Sequence, residues 1–512
     1  MYFYKKQYIF CIIFFISSLS LVAQEFIYFN KTYWGDTLNI HSRALEQVDD
    51  GYLIFGSYAS INENVLLYVR KIDREGNHLF LKKLILENNG IGGLFSGSYS
   101  IVTNDRNILL CIAFPEHADS LSDIHFMKIN SEGNILWHKI HKNNFINGVY
   151  EIIQTEDKGF AVVGIQRTSM QEPGVGYFLK TDSLANIEWE KTYYLDGHTG
   201  ITSIEQVHDS GFIISGAGYQ LGTEFDMFVL KTDSLGNEEW RRTYGGEEDE
   251  GYSYIKLLTS KNQYEQTGKM EYLLIGEDEP IQSDDDLYIA KLDDRGIVLW
   301  ENRYDDFAGL NYPYPFFETM PIIKNGGFKI VANYRSIKDT RVPVLMDFNR
   351  YGQVNWQKTM SIDTSANVYI KDLQATPDGG YIMAGFKFSP APQQSWIVKV
   401  DADGNTCWIA DCDSTVVFTD IEEPSVSSNS ISLSLFPNPA SEQVEVVYQL
   451  PKNQEGILKV YDYQGKLVVN YQLLMVNGGL TLEVGDWVSG VYLYSLEIEG
   501  ERLESGKLIV EK

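Results

Sequence analysis

The residues of this chain that could do chemistry are few among the histidines and cysteines and many among the acids, and their spacing narrows what each could do. His138 and His141, in Trp137-His-Lys-Ile-His141, are three apart on a run that alternates as a strand. They therefore point to opposite faces and cannot share a metal. Glu247-Glu248-Asp249-Glu250 and Asp284-Asp285-Asp286 could attract calcium, but neither has the ligand spacing of a calcium loop. Asp401-x-Asp403-Gly404-Asn405 has the first half of such a loop and lacks the other ligands. No cofactor is expected, and calcium has no motif to support it. The sequence contains no Gly-x-Ser-x-Gly elbow, no Cys-x-x-Cys pair and no phosphate-cradling glycine loop. A pair of catalytic carboxylates would have to be assembled by the fold from distant segments, which spacing along the chain does not display. Cys407 and Cys412 form a candidate disulfide, of small entropic benefit because the loop is short. Opposite facing on one regular strand would forbid that bond. Cys111 sits in an apolar run and reads as a small core residue. Tyr312-Pro-Tyr-Pro-Phe-Phe317 could stack on sugars or pack on its own fold, and packing is preferred.

Whatever holds these residues is a repeat. Asp73-x-x-Gly76-Asn77-x-x-Phe80 returns as Asn130-x-x-Gly133-Asn134-x-x-Trp137 and Asp182-x-x-Ala185-Asn186-x-x-Trp189. Asp233-x-x-Gly236-Asn237-x-x-Trp240, Asp293-x-x-Gly296 with Trp300, Asn349-x-x-Gly352 with Trp356, and Asp401-x-x-Gly404-Asn405 with Trp408 complete the series. A period of roughly 50–60 residues means one supersecondary unit stacked on itself. Each signature reads as a type I turn with glycine in the left-handed position, closing a hairpin with a one-residue bulge. Pairing Asp233 with Asn237 sets Lys231 opposite Glu239 and Leu230 opposite Trp240. Lysine recurs at that place as Lys71, Lys128, Lys180, Lys231, Lys291 and Lys399, with Asp347 the exception, and is expected on a solvated face with weak ion pairs.

Two further strand-like runs precede each turn, such as Gly159-Phe-Ala-Val-Val-Gly164 and Gly211-Phe-Ile-Ile-Ser-Gly216. Each unit is thus about four short strands, and nothing in the pattern reads as a helix. Such units point to a seven-bladed β-propeller over residues 25–412, with the indoles packed between blades. Phe29-Asn-Lys-Thr-Tyr33 matches Trp240-Arg-Arg-Thr-Tyr244 with no blade before it, so the first strand is expected to join the last blade and close the ring. Any site should lie on the blade-to-blade loops.

The repeat resembles the tryptophan-docked units of quinoprotein-type propellers and long-period propeller repeats of secreted Bacteroidota proteins. That likeness implies architecture and no chemistry. Lys5 and Lys6 before an apolar run from Ile9 to Val22 and then Ala23 read as a secretory signal peptide over residues 1–23, too short to span a membrane. Residues 413–432 have linker composition. Beyond them, Pro437-Asn438-Pro439, Gly465 and Gly490-Val-Tyr492 occur in order within residues 433–512. This tail resembles the C-terminal sorting domain of the type IX secretion system, type A. The resemblance implies a small Ig-like β-sandwich, passage across the outer membrane, and partners in the secretion machinery and its sortase. Short alternating strands with turn signals independently argue a sandwich.

The formal charge is −28, a surface that repels nucleic acid and anionic lipid. The expectation is an all-β, monomeric, exported propeller, non-catalytic, that binds a surface glycan or protein. The alternative is a polysaccharide-active hydrolase or lyase on the same scaffold.

Overall fold

The computed structural model describes residues 28–34, 38–60, 66–84, 98–115, 121–169, 171–195, 197–219, 225–245, 250–278, 286–304, 321–324, 326–335, 340–360, 366–388, 393–406, 413–417, 432–436, 438–450, 455–473, 477–498 and 501–511. The signal segment, the acidic residues 247–249 and 284–285, the aromatic stretch 312–317, Cys407, Trp408, Cys412 and Pro437 lie outside the described residues.

Six four-stranded antiparallel sheets follow one another over residues 38–84, 98–141, 146–193, 199–244, 250–304 and 322–359. In each, spatial order equals chain order. A seventh takes three strands from residues 367–400 and completes itself with β1 (Phe29–Trp34). Through most of the circle the first strands of neighbouring sheets lie side by side. Buried Ile275 and Leu287 pack with Phe328 and Ile330 to join the fifth sheet to the sixth. Ile382 and Ile397 pack with Ile40 and Ile54 to join the seventh to the first. The circle is closed with first strands innermost, which is the arrangement of a β-propeller.

The repeated turn explains how neighbours lock. In the fourth sheet the Asp233 carboxylate accepts from the backbone N–H of Leu235 and Asn237 and from the Asn237 amide, and Gly236 takes φ 72°. A Cβ on Gly236 would stand 2.8 Å from the Trp189 ring of the preceding sheet, so the indole packs onto bare backbone. Trp240 on Gly296, Trp300 on Gly352, Trp356 on Gly404 and Phe80 on Gly133 repeat the contact. Ala185, the departure, still adopts φ 56° and is buried in one cluster with Trp137. Two residues along from the ring-bearing residue, Lys191 donates to the Asn237 amide oxygen, and two beyond that the Tyr193 hydroxyl donates to Gly236 O at 2.6 Å.

At the ring's closure the expected match holds, with one replacement. β1 pairs antiparallel with Gln394–Val400, setting Phe29 opposite Lys399 as Trp240 is set opposite Lys231. Phe29 therefore occupies the place expected of Trp408, and a Cβ on Gly76 would stand 2.8 Å from its ring. Lys31 donates to Asn77 and the Tyr33 hydroxyl to Gly76 O at 2.6 Å. Asp413–Val417, expected as the start of a linker, is a strand running parallel to β1 on its outer side. Its Thr-Val-Val composition favours a strand and covers an otherwise open edge.

Three other expectations are corrected. The hairpin register is one residue off, because the bulge falls after Lys231 rather than at the turn: Lys231 faces Trp240 and Leu230 faces Arg241. The third sheet does the same, with Lys180 facing Trp189. Lys71, Lys180, Lys231 and Lys399 are consequently buried instead of solvated. Lys180 meets Asp157 at 2.8 Å and Glu188 at 2.9 Å, and Lys231 meets Asp209 at 2.9 Å and Glu239 at 3.0 Å. One acid comes from the first hairpin of the sheet and one from the bulge, so each ammonium ties two turns together. The exception, Asp347, is a charge inversion: it pairs across the sheet with Lys329, where Ile213 and Ala161 stand in other sheets. Finally, α1 (Lys261–Thr267) is a helix, opened by a capping box between Ser260 and Gln263 and closed by left-handed Gly268.

The C-terminal segment forms a three-stranded sheet (Ser432–Phe436, Gln443–Gln449, Asn477–Glu483) and a four-stranded one (Leu467–Leu473, Gly456–Tyr461, Gly490–Ile498, Glu501–Val510). Val444, Val446, Leu458, Val460, Leu496 and Leu508 are buried in one core cluster.

Candidate functional site

The innermost strands carry the ionisable groups that the repeat does not explain. Among the described residues the first strand breaks register in five sheets, at one matching place after Ser42, Val149, Ile201 and Ile370 and, in the fifth sheet, between Glu250 and Ser253. The second glycine of the Gly-x-x-x-x-Gly run sits opposite that break. A Cβ on Gly216 would lie 2.0 Å from Gly200 O, so only glycine lets the inner strand come this close.

Just past three of the matching bulges, those of the third, fourth and seventh sheets, a polar side chain reaches the next sheet. Asp372 of the seventh sheet accepts from Leu45 N–H of the first at 2.7 Å, and Glu151 of the third accepts from Ile204 N–H of the fourth at 2.6 Å. Ser203 of the fourth sheet accepts from Ile255 N–H of the fifth at 3.2 Å. An inner strand has no partner strand on its channel side, and these side chains satisfy the N–H groups it leaves over. Glu46 accepts from the Ser100 hydroxyl at 2.7 Å and from the Gln374 amide at 3.2 Å, linking three sheets. Lys256 meets Glu205 directly and Glu151 at 3.8 Å.

Burial sets the protonation of this lining. It pushes Glu46 up to about 8, helped by the Asp372 charge. It raises Asp372 to about 7 against two backbone hydrogen bonds, and Glu151 to about 7 against the Lys256 charge. Burial pushes Lys256 down, but the charges of Glu205 and Glu151 more than reverse it. Carboxyls raised into the neutral range are what acid–base chemistry uses. Here, however, Glu46, Asp372 and Glu151 are each held as an acceptor for a neighbouring sheet.

Other candidates are placed plainly. His138 Nε2 lies 3.0 Å from His125 Nδ1 with the rings stacked, while His141 faces Glu190 on the other side of the strand. Burial lowers His125 to about 3 and His138 to about 4, so the pair stays neutral. The partner His125 was invisible in the sequence because it comes from the adjacent strand. The Asp401 carboxylate is used within its own turn, accepting from Asp403 and Asn405. Among the described residues no group of three or more His, Cys, Asp and Glu is arranged to hold a metal ion. A groove of 680 Å³ runs between outer strands, lined by Tyr194, Arg241, Arg242 and Tyr244. A second, of 330 Å³, lies beside Asn104, Gln154, Glu156 and Gln206.

In the C-terminal module, Asn438 accepts from Ile509 N–H at 2.8 Å and donates to Lys507 O at 2.7 Å, tying the start of the module to its last strand. Asp462 and Gly465 rebuild the turn of the ring hairpins, with Asp462 accepting from Gln464 and Lys466 and Gly465 at φ 79°. The Tyr492 hydroxyl donates to Val488 O, two residues before Gly490. Residues 434–511 match the family described as the secretion system C-terminal sorting domain. This segment is a sorting tail. The protein that bears it is secreted by the type IX system, to the medium or to the cell surface. Among the described residues of the sorting-tail protein no helix is long and apolar enough to cross a membrane.

No curated protein matches the sequence. Among solved structures, polysaccharide lyase Uly1 is 8% identical with TM-score 0.45 over 71% of this chain and 90% of that one. Penicillium chrysogenum α-L-arabinanase complexed with arabinobiose is 9% identical with TM-score 0.42 over 60% and 94%. Puromycin hydrolase is 12% identical with TM-score 0.46 over 80% and 58%. Likeness at this level says nothing about chemistry.

Proposed function

We propose that this is a non-catalytic binding protein: a seven-bladed β-propeller carried outside the cell by an Ig-like sorting sandwich that the secretion sortase then handles. One observation carries the reading. The carboxyls of the ring interior, buried Glu46 and Glu151 and half-buried Asp372, are spent as acceptors between sheets, Asp372 for Leu45 N–H, Glu151 for Ile204 N–H and Glu46 for Ser100 and Gln374. A group so held is a structural clasp, whereas an acid–base residue must be able to reach its substrate's proton. The seven sheets and the seven turns support the blade number, and the two-sheet core of residues 432–511 supports the sandwich. On this reading the ring is 25–412 extended by the edge strand Asp413–Val417, and the sandwich is 433–512.

The opposing reading, a polysaccharide hydrolase or lyase, draws on the raised Glu46 and Asp372 carboxyls facing the same interior. Incubation with a panel of plant, algal and host polysaccharides decides between them. The binding reading expects retention on one or more polymers without new reducing ends or unsaturated products. Cleavage that disappears in Glu46→Gln or Asp372→Asn overturns it. For export, removal of residues 433–512 should leave the ring in the periplasm, and unchanged appearance outside the cell would contradict the sorting role.

A further inference from the structure

The inner lining differs at one junction, the seam where the seventh sheet meets the first. At two equivalent bulges the extra residue is a cation: Arg43 between Ser42 and Ala44, and Lys371 between Ile370 and Asp372. The same bulge position holds Tyr150 in the third sheet and Thr202 in the fourth. A bulge re-aims a side chain, and here it sets two like charges on adjacent inner strands.

Lys371 stands against a stack of rings, and the Arg43 charge acts on His41 at the end of that stack. Phe386 stacks on His41 at 4.7 Å and on Tyr369 at 5.1 Å, centroid to centroid, with interplanar angles of 19° and 22°. Lys371 Nζ is 5.8 Å from the Phe386 centroid and 5.9 Å from that of Tyr369. His41, Arg43, Tyr369, Lys371 and Phe386 are all half-buried, neither sealed in a core nor free in solvent. His41 and Tyr369 lie toward the starts of their strands, the end of the ring where the connections between sheets enter.

We propose that this seam is a binding site for an acidic sugar, a uronate or sulfated residue on a short glycan, with Arg43 and Lys371 taking the anionic group and the His41–Phe386–Tyr369 stack bordering the sugar. The proposal deepens the binding reading above and rests on it. The electrostatics agree with the geometry. Burial and then the Arg43 charge push Lys371 down to about 7, and burial followed by Arg43 and Lys371 pushes His41 down to about 4. Lys371 is thus about half charged near neutral pH, and a bound anion favours its ammonium form beside Arg43. Imidazole held neutral keeps one donor and one acceptor for hydroxyl groups. Guanidinium gives a carboxylate or sulfate two parallel donors. Long polyanions are disfavoured by a chain charge of −28, while a single acidic residue binding at the mouth feels only charges within about 8 Å at physiological salt.

The test is calorimetric titration of the full chain in 0.15 M salt with four probes: trigalacturonate, a sulfated galactose disaccharide, galactotriose and a hexa-aspartate peptide. The expected result is binding of one or both acidic sugars, at least tenfold weaker galactotriose and peptide, and at least tenfold loss in Arg43→Gln and in Lys371→Gln. Lys371→Arg, which keeps the charge, should retain affinity and so separates charge loss from misfolding. Uronate without sulfate binding, or the reverse, names the anion. Equal affinity for galactotriose, tighter binding of the peptide, no binding of any probe, or indifference to both substitutions would overturn the assignment and leave the binding reading to the polymer panel. Cleavage of the sugars would instead sink the binding reading itself.

Discussion

The junction between the third and fourth sheets and the seam between the seventh and the first use one clasp. At the ordinary junction Trp189, Lys191 and Tyr193 hold Gly236 and Asn237; at the seam Phe29, Lys31 and Tyr33 hold Gly76 and Asn77. The chain makes the first with a strand continuous with its own sheet. It makes the second with a strand 366 residues away from its neighbour, as in the bond from Trp396 Nε1 to Asn30 Oδ1. Equal contacts thus have unequal consequences, because only the seam can open without breaking a hairpin. The interiors diverge as well: Tyr150 and Thr202 stand at the bulges of the ordinary junction, Arg43 and Lys371 at those of the seam. The repeat fixes how neighbours dock and leaves the inner strand free to differ where a ligand could use it.

The comparison can be broken at its rings. Phe29→Ala and Trp189→Ala should each cost about 4 kcal/mol by denaturant unfolding, the cost of emptying an aromatic contact. Only Phe29→Ala should also speed proteolytic removal of β1 in native buffer. Equal protease resistance would show that the seam is not a weak point. Tyr33→Phe and Tyr193→Phe remove the same buried hydrogen bond to a turn carbonyl and should each lose about 1–3 kcal/mol, an acceptor being left unpaired. A clear inequality between them would mean the two clasps are not equivalent.

The smallest effect concerns pH. Glu46 at the seam and Glu151 at the ordinary junction both have folded values raised above the unfolded one, so the fold binds more protons than the unfolded chain. Their stabilising contribution is complete below about pH 4.5 and fades as pH rises through about 7 for Glu151 and about 8 for Glu46. Glu46→Gln should therefore gain on the parent protein by about 3 °C in melting temperature between pH 5 and pH 8. Most of that gain should fall between pH 6 and pH 8, and Glu151→Gln should complete its own about one unit lower. A gap that narrows with rising pH would contradict the assigned shifts.

The turns are legible in the sequence because each favours a residue type: glycine at six of the seven positive-φ positions of the signature turns, with Ala185 the exception, and Asp or Asn where a side chain must accept two N–H groups. The closing strand was legible because Phe29-Asn-Lys-Thr-Tyr33 preserves the spacing of the clasp. The lysine layer is hidden from spacing alone because a bulge after the turn adds one residue and reverses which face each side chain takes. Asp347 as an inversion needed its cross-strand partner, Lys329. Helix α1 has a readable capping box at Ser260 and Gln263, but its seven residues bury no apolar stripe and so give no helical period. The inner acids and the Arg43–Lys371 pair have no sequence signature at all. Glu46, Asp372 and the Arg43–Lys371 pair come together only when residues more than three hundred apart meet at the seam, while Glu151 meets Lys256 across neighbouring sheets.

Closure by β1 is tested most directly by removing residues 25–36 and adding back a synthetic peptide of that sequence in trans. The ring should melt at least 10 °C lower without the strand, given the aromatic contact and the clasp it supplies, and the peptide should restore most of the loss. An unchanged melting temperature in the truncated protein would contradict the closed ring.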